Sequence, residues 1–291
     1  MLNRKLMIDK KAVDKMIKDK IRTNKIIDIH NHIFPDKMAE KAVAATGSYY
    51  GIPMTGKGTV SDMLESGSKI GINKYIIHST ATKFEQVKSI NDYIVSVQAS
   101  DDSFIGFGTL HPELEGIEDE VERILSLGIN GIKLHPDFQR FDIDQPNMMP
   151  IYSAIEKKLP LLIHMGDKNK TFSSPKKLAR VLNMFPELTV IAAHMGGYSV
   201  WDESIEYLVG KNIYFDTSSS LMFLDTKKAT QMIKAHGVEK ILFGSDYPMW
   251  SHQDELERLC RLNLTSHELD LILWENALRL FTEGQVHCPN L

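Results

Sequence analysis

The stretch KIIDIHNHIFP, residues 25–35, joins a β-branched apolar run to two histidines two positions apart. A short apolar run bounded by turn-forming residues reads as a buried strand. Residues i and i+2 of a strand point to the same side, so His30 and His32 can face one point in space. Seven further runs of the same kind follow: KYIIHS (74–79), FIGFGTL (104–110), NGIKLH (130–135), PLLIH (160–164), LTVIAAH (188–194), NIYFDTS (212–218) and KILFGSD (240–246).

Helical patterns separate these runs. Glu115–Leu127 sets Ile117, Val121, Ile124 and Leu125 on one face, and Ser174-Pro175 opens the next-but-one as cap and first helical residue. Strand and helix alternating eight times imply a parallel sheet covered by helices. Runs such as PLLI are apolar at every position, as strands buried on both faces are. The expectation is an α/β chain folded as a (β/α)8 barrel of the TIM type. Residues 25–291 form its single domain and residues 1–24 an amphipathic extension. No G-x-G-x-x-G or G-x-x-x-x-G-K-[ST] lies between a strand and its helix, which disfavours a nucleotide fold. The longest gap holds TGSYYGIPMTGKG (46–58), read as a loop at the carboxyl side that closes over the site.

The bulk composition is ordinary, with 43% hydrophobic and 25% charged residues. A net charge of −4 gives no general attraction to nucleic acid or anionic lipid. Residues 1–25 are the exception, with nine Lys/Arg against three Asp. Val13, Met16, Ile17 and Ile21 fall there at helical spacing, and the helix is expected to cover the barrel's bottom or a subunit contact. No signal-peptide core or membrane-length apolar run is present, so a cytoplasmic protein is expected. Cys260 and Cys288 make no disulfide framework. A small-molecule substrate is expected, without nucleic acid or membrane as partner, and a homodimer is the usual oligomer.

Seven of the eleven histidines end strands: His30, His32, His78, His111, His135, His164 and His194. The carboxyl ends of all barrel strands share one face, so these residues converge. Three of them, His30, His32 and His164, together with Asp246 offer three nitrogens and an oxygen, a set that suits one divalent transition metal, Zn²⁺ first and Mn²⁺, Fe²⁺ or Co²⁺ as replacements. His78 and His111 are expected near the pocket without ligating, and the aromatics Tyr198, Trp201 and Trp250 either line it or pack helices. His236, His252, His267 and His287 fall in helices or the tail and read as surface residues.

The pieces DIHNHIFP (28–35), GIKLHP (131–136), PLLIHMG (160–166), VIAAHMGG (190–197) and LFGSDYP (242–248) occur in this order along most of the chain. Together they resemble the amidohydrolase superfamily, in its amidohydrolase-related branch of metal-dependent hydrolases and decarboxylases. The resemblance implies that His30, His32, His164 and Asp246 bind the metal. It also implies that Asp246 carries the proton and that His194 is a further active-site residue. Lys133 and His135, on one side of the fourth strand, are candidates for binding substrate. The implied reaction is attack of metal-activated water on an amide, ester or lactone carbonyl. The alternative is non-oxidative decarboxylation of an unsaturated or aromatic acid. A catalytically dead barrel used for binding is disfavoured, because every ligand residue is present. No G-x-S-x-G supports a serine nucleophile.

Overall fold

In the computed structural model, which describes residues 10–23 and 25–282, each apolar run supplies one short strand. They are β1 (Ile27–His32), β2 (Lys74–His78), β3 (Phe104–Gly108), β4 (Gly131–Leu134), β5 (Leu161–Ile163), β6 (Val190–Ala192), β7 (Tyr214–Asp216) and β8 (Ile241–Leu242). Every strand pairs in parallel with its successor. The ring closes where Ile29 N–H donates to Phe243 O at 3.0 Å and His32 N–H to Tyr247 O at 2.7 Å. The expected (β/α)8 barrel is the observed fold.

The strands read as unbroken apolar runs because each serves two separate apolar layers. On β5, Leu162 joins a cluster with Ile27, Ile29, Ile76, Phe107 and Ile191 inside the barrel. Leu161 and Ile163 face the other way, into the layer beneath the helices. Successive side chains alternate, so both faces need apolar residues. On β1 the ladder slips: Asp28 lies opposite Tyr75, but Asn31 lies opposite Ile77, three steps against two. A bulge of this kind re-aims side chains. Ile27 and Ile29 pack inside the barrel, and across the slip His30 and His32 meet at its carboxyl mouth.

Three local expectations require correction. The barrel's bottom is closed by the helix Asn276–Thr282, whose Ala277, Leu280 and Phe281 enter the inner cluster. Helix α1 (Lys10–Thr23) instead packs on the flank against the helix His252–Cys260, with Lys20 Nζ bonded to Ser266 O at 3.0 Å. Only the first five residues of the stretch read as a loop, Thr46–Tyr50, are helix. Helix α2 (Asp36–Tyr50) runs into it and stops at Gly51, whose φ of 65° gives the left-handed cap, and residues 52–58 continue without helix.

His236 and His252 are buried rather than on the surface. His236 donates to Ile213 O at 2.9 Å and stacks on Phe215 at 3.9 Å. His252 stacks on Tyr247 and bonds Ser66 Oγ at 2.8 Å. His267 is exposed, while His287 and Cys288 lie outside the described residues. Cys260 is buried and unpaired, and burial pushes its thiol up to about 12. Among the described residues no helix is long and apolar enough to cross a membrane.

Two outcomes follow from this packing. Phe281→Ala removes the ring that plugs the inner cluster and should cost about 3–5 kcal/mol in urea unfolding. Burial lowers His236 to about 4. The unfolded imidazole titrates near 6.5, so the unfolded chain binds more protons between these values. Stability should therefore fall as pH drops from about 6.5 towards about 4. In parallel unfolding curves across that window, His236→Gln should show a shallower decline.

Candidate metal centre

Beyond the β1 bulge, His30 Nε2 and His32 Nε2 stand 3.2 Å apart. Asp246 Oδ1 completes a triangle at 3.3 Å from the first and 3.4 Å from the second. Ligands about 2.0–2.1 Å from a tetrahedral ion are separated by about 3.3–3.4 Å, so one ion fits these three donors. The proton inventory agrees. His30 Nδ1–H donates to Asp216 Oδ2 at 2.8 Å, which puts the lone pair on Nε2, where Lys133 Nζ meets it at 2.9 Å and an ion would take that place. Burial pushes His30 down to about 3, with Lys133 adding to the effect, so the imidazole is neutral as a ligand must be.

Asp216 ends β7 and is fully buried. Its Oδ1 accepts from His194 N–H at 2.8 Å and from Ser218 N–H at 3.1 Å. Burial alone would raise its pKa, but His30, His194 and Ser218 outweigh that and hold it below the usual carboxylate range. Asp246 is similar: burial opposes the charge, and His30, His32 and His194 keep it well below that range. Its Oδ2 accepts from Ser219 Oγ–H, and Ser219 Oγ accepts in turn from Trp250 Nε1 at 3.0 Å.

His194 and Asp246 adopt φ of 59° and 60°, and Ser219 one of 48°. Side chains bearing a Cβ rarely take that conformation, which costs about 1–3 kcal/mol where the surroundings impose it. Here Trp201 Nε1–H holds His194 O at 3.0 Å, and Ser219 holds Asp246.

The structure gathers His30, His32 and Asp246 and sets His164 one side chain away. His164 Nε2–H donates to Gly166 O at 3.0 Å, so its Nδ1 accepts from His194 Nε2–H at 2.9 Å. His194 in turn stacks on His30 at 5.2 Å. Lys133 lies beneath the cluster with no exposed surface, its Nζ 2.9 Å from His30 Nε2. Burial pushes that amine down to about 8, opposed by Asp246 and Asp216. His78 is buried beside His32, with ring centroids 4.4 Å apart. His111 turns away to accept from Glu113 N–H at 3.2 Å.

Above the cluster opens a cavity of ≈ 630 Å³ with His32, His164, His194 and Asp246 on its floor. Tyr49, Tyr50, Phe138, Phe172, Tyr198 and Met249 form much of its wall. Helix α2 thus covers the site, as expected of that segment, and Tyr50 OH bonds His135 Nε2 at 3.1 Å. His135 stands in the wall, stacked between Phe138 at 3.8 Å and His164 at 4.0 Å. Lys133 is not among the lining residues. Of the three aromatics expected to line the pocket or pack helices, Tyr198 lines it, while Trp201 and Trp250 brace His194 and Ser219 from behind.

Sequence reasoning missed Asp216 as a ligand-orienting residue, and Ser218, Ser219 and Tyr50. Asp216 carried a usable signal, because it ends an apolar run at the same place as the histidines do. Ser219 and Tyr50 carried none.

A (β/α)8 barrel whose carboxyl mouth gathers histidines and carboxylates that could hold a divalent ion defines the class. The family model described as amidohydrolase matches residues 27–282, and the chain belongs to that family. Solved structures show the same fold. The 5-carboxyvanillate decarboxylase of Sphingomonas paucimobilis superposes with a TM-score of 0.70 at 16% identity, covering 88% of this chain and 98% of that one. A dihydroxybenzoic acid decarboxylase of Polaromonas sp., with bound manganese, gives 0.69 at 18% identity over 89% and 97%. A probable 2-pyrone-4,6-dicarboxylic acid hydrolase of Acinetobacter baumannii gives 0.65 at 18% identity over 88% and 99%.

Asp216→Asn replaces an acceptor that fixes the His30 tautomer. Mn²⁺ or Zn²⁺ affinity, measured by equilibrium dialysis, should fall by about 10–100-fold, in a variant that still folds but melts below the parent.

Proposed function

We propose that this chain is a divalent-metal-dependent carboxy-lyase acting on an aromatic or unsaturated acid. The observation that carries this reading is the aromatic wall standing directly over the His30–His32–Asp246 triangle. A planar ring fits between such side chains, whose faces and edges pair favourably with it. Exposed Arg140 and Lys170 at the rim give an anionic acid a favourable approach. The likeness to two decarboxylases supports the lyase reading over the hydrolysis expected first.

His30, His32 and Asp246 would hold the ion, with His164 as a fourth ligand once its ring turns away from Gly166. Manganese in a neighbour's site widens the choice of ion beyond zinc. A bound divalent ion would supply the positive charge that gathers the acid's oxygens in front of Asp246. Asp246, held ionised, accepts the proton of a ring hydroxyl beside the carboxylate and passes it to the carbon that bears that carboxylate. The bond from that carbon to the carboxyl group then breaks, its electron pair returns to the ring, and CO₂ departs. Solvent restores the hydroxyl proton. His194, fixed by Asp216 and bonded to His164, shapes the floor on which the acid rests.

Hydrolysis of a lactone or amide is the second reading. It is favoured by the ionised Asp246, which suits a general base, and by the likeness to the pyrone dicarboxylate hydrolase.

The test is product analysis with metal-loaded protein and a panel of hydroxybenzoates, lactones and amides. CO₂ release, with deuterium from D₂O at the vacated carbon, is expected. Ring opening or amide cleavage without CO₂ selects hydrolysis instead. His30→Ala and Asp246→Ala should each lower turnover by about 10²–10⁴-fold; variants as active as the parent would refute the site.

A further inference from the structure

His78 ends β2, and the parallel ladder sets it directly beside His32. Its ring lies 4.4 Å from that of His32 at 89°, and 5.0 Å from that of His30. No surface of it is exposed. Neither of its nitrogens has a hydrogen-bond partner among the described residues. A neutral imidazole carries one N–H donor and one lone pair, and leaving both unmet in a buried position is costly. Every other histidine that ends a strand engages at least one nitrogen: His30, His32, His111, His135, His164 and His194 all do. His78 is the exception, and it sits where the cation would be.

We propose that His78 is a further ligand of the divalent ion held by His30, His32 and Asp246, reaching it from β2. The inference rests on the metal reading of that site, not on which reaction follows. Ligand nitrogens of His30, His32 and His78 lie within 4.8 Å of one another. Ligands on opposite sides of one ion stand about 4.2 Å apart, so a small swing of the His78 ring brings it into the shell. The lone pair of one orphaned nitrogen is then satisfied by the ion.

Of the two further groups, the set His30, His194 and Asp216 is the hydrogen-bonded support described above, and the set His135, Asp137 and His164 has its donor atoms equally close. Its two imidazoles, however, stack face to face at 4.0 Å and 10°. Lone pairs lie in the ring planes, so those of stacked rings run side by side rather than converging on one ion. Both His135 nitrogens are also engaged, by Tyr50 OH and by Phe138 N–H. That group does not match the geometry His78 offers.

The test is to load the protein with Mn²⁺ or Co²⁺ and count coordinated imidazole nitrogens by pulsed EPR. Dissociation constants are measured by dialysis alongside, in the parent, His78→Leu and His78→Gln. The expected result is one fewer imidazole in both variants and a dissociation constant raised at least about tenfold. The melting temperature adds a readout of opposite sign. Without metal, His78→Leu should melt at or above the parent, because orphaned polar atoms are gone; with saturating metal it should melt below it. His78→Gln keeps a buried amide, so a merely structural or water-bridging role would leave its metal affinity and imidazole count at the parent's values, and that result overturns the proposal. A parent that binds no divalent ion overturns the metal reading together with it. A parent that binds one, beside variants that bind it identically, overturns the role of His78 alone.

Discussion

One buried carboxylate holds the carboxyl mouth of this barrel together. Asp216 grips the His30 side chain with one oxygen and the His194 backbone with the other. A charge without exposed surface survives only if its lone pairs are met, and removing one partner from such a pair is strongly destabilising. Here the partners come from β1, from the turn after β6, and from Ser218 just beyond β7. The same bonds that settle the charge therefore lock three separate strand ends in register. They also decide which His30 nitrogen faces His32 and Asp246, so the orientation of that imidazole follows from an electrostatic requirement of the fold.

The barrel was legible because its strands repeat a pattern with one physical cause. Leu161, Leu162 and Ile163 divide between two apolar layers, and a strand so placed shows no polar alternation. The meeting of the site's side chains was legible for a related reason. His30, His32 and Asp246 stand where strands end, and in a barrel all such ends face one way. Asp216 occupied the same kind of position, but nothing local shows that His30 and His194 come to meet it. His236 and His252 were misread because periodicity reports which residues share a face, not what covers that face. The closing helix escaped for the same reason, since Ala277, Leu280 and Phe281 look alike whether they plug a barrel or lie along its side. Thr46–Tyr50 looked like a loop from its Gly, Ser and Thr content, although a helix ending on Gly51 needs little else.

Strain and support sit side by side at the mouth. His194, Ser219 and Asp246 occupy a backbone region that disfavours them. Trp201 and Trp250, which do not line the cavity, hold two of these residues from the outside. Aromatic residues near a pocket thus divide into two jobs. Tyr50 and Tyr198 present faces to the cavity, whereas the tryptophans spend their single N–H donors on keeping the floor in shape. A substitution at either tryptophan acts on the floor without touching anything bound above it.

The plug at the barrel's base also sets an order of events. Ile29 must find Phe243, and the inner cluster waits for Phe281, although Ile27 begins the barrel. Contacts between segments so far apart in the chain form slowly, because the intervening loop must first be closed. During synthesis the early strands leave the ribosome with their inner faces wet and no partner yet made. Strand edges and apolar surface in that condition invite association with other chains. The nascent protein is therefore exposed longest on the surface that the finished protein hides most completely, and its yield in a cell depends on how well that interval is protected.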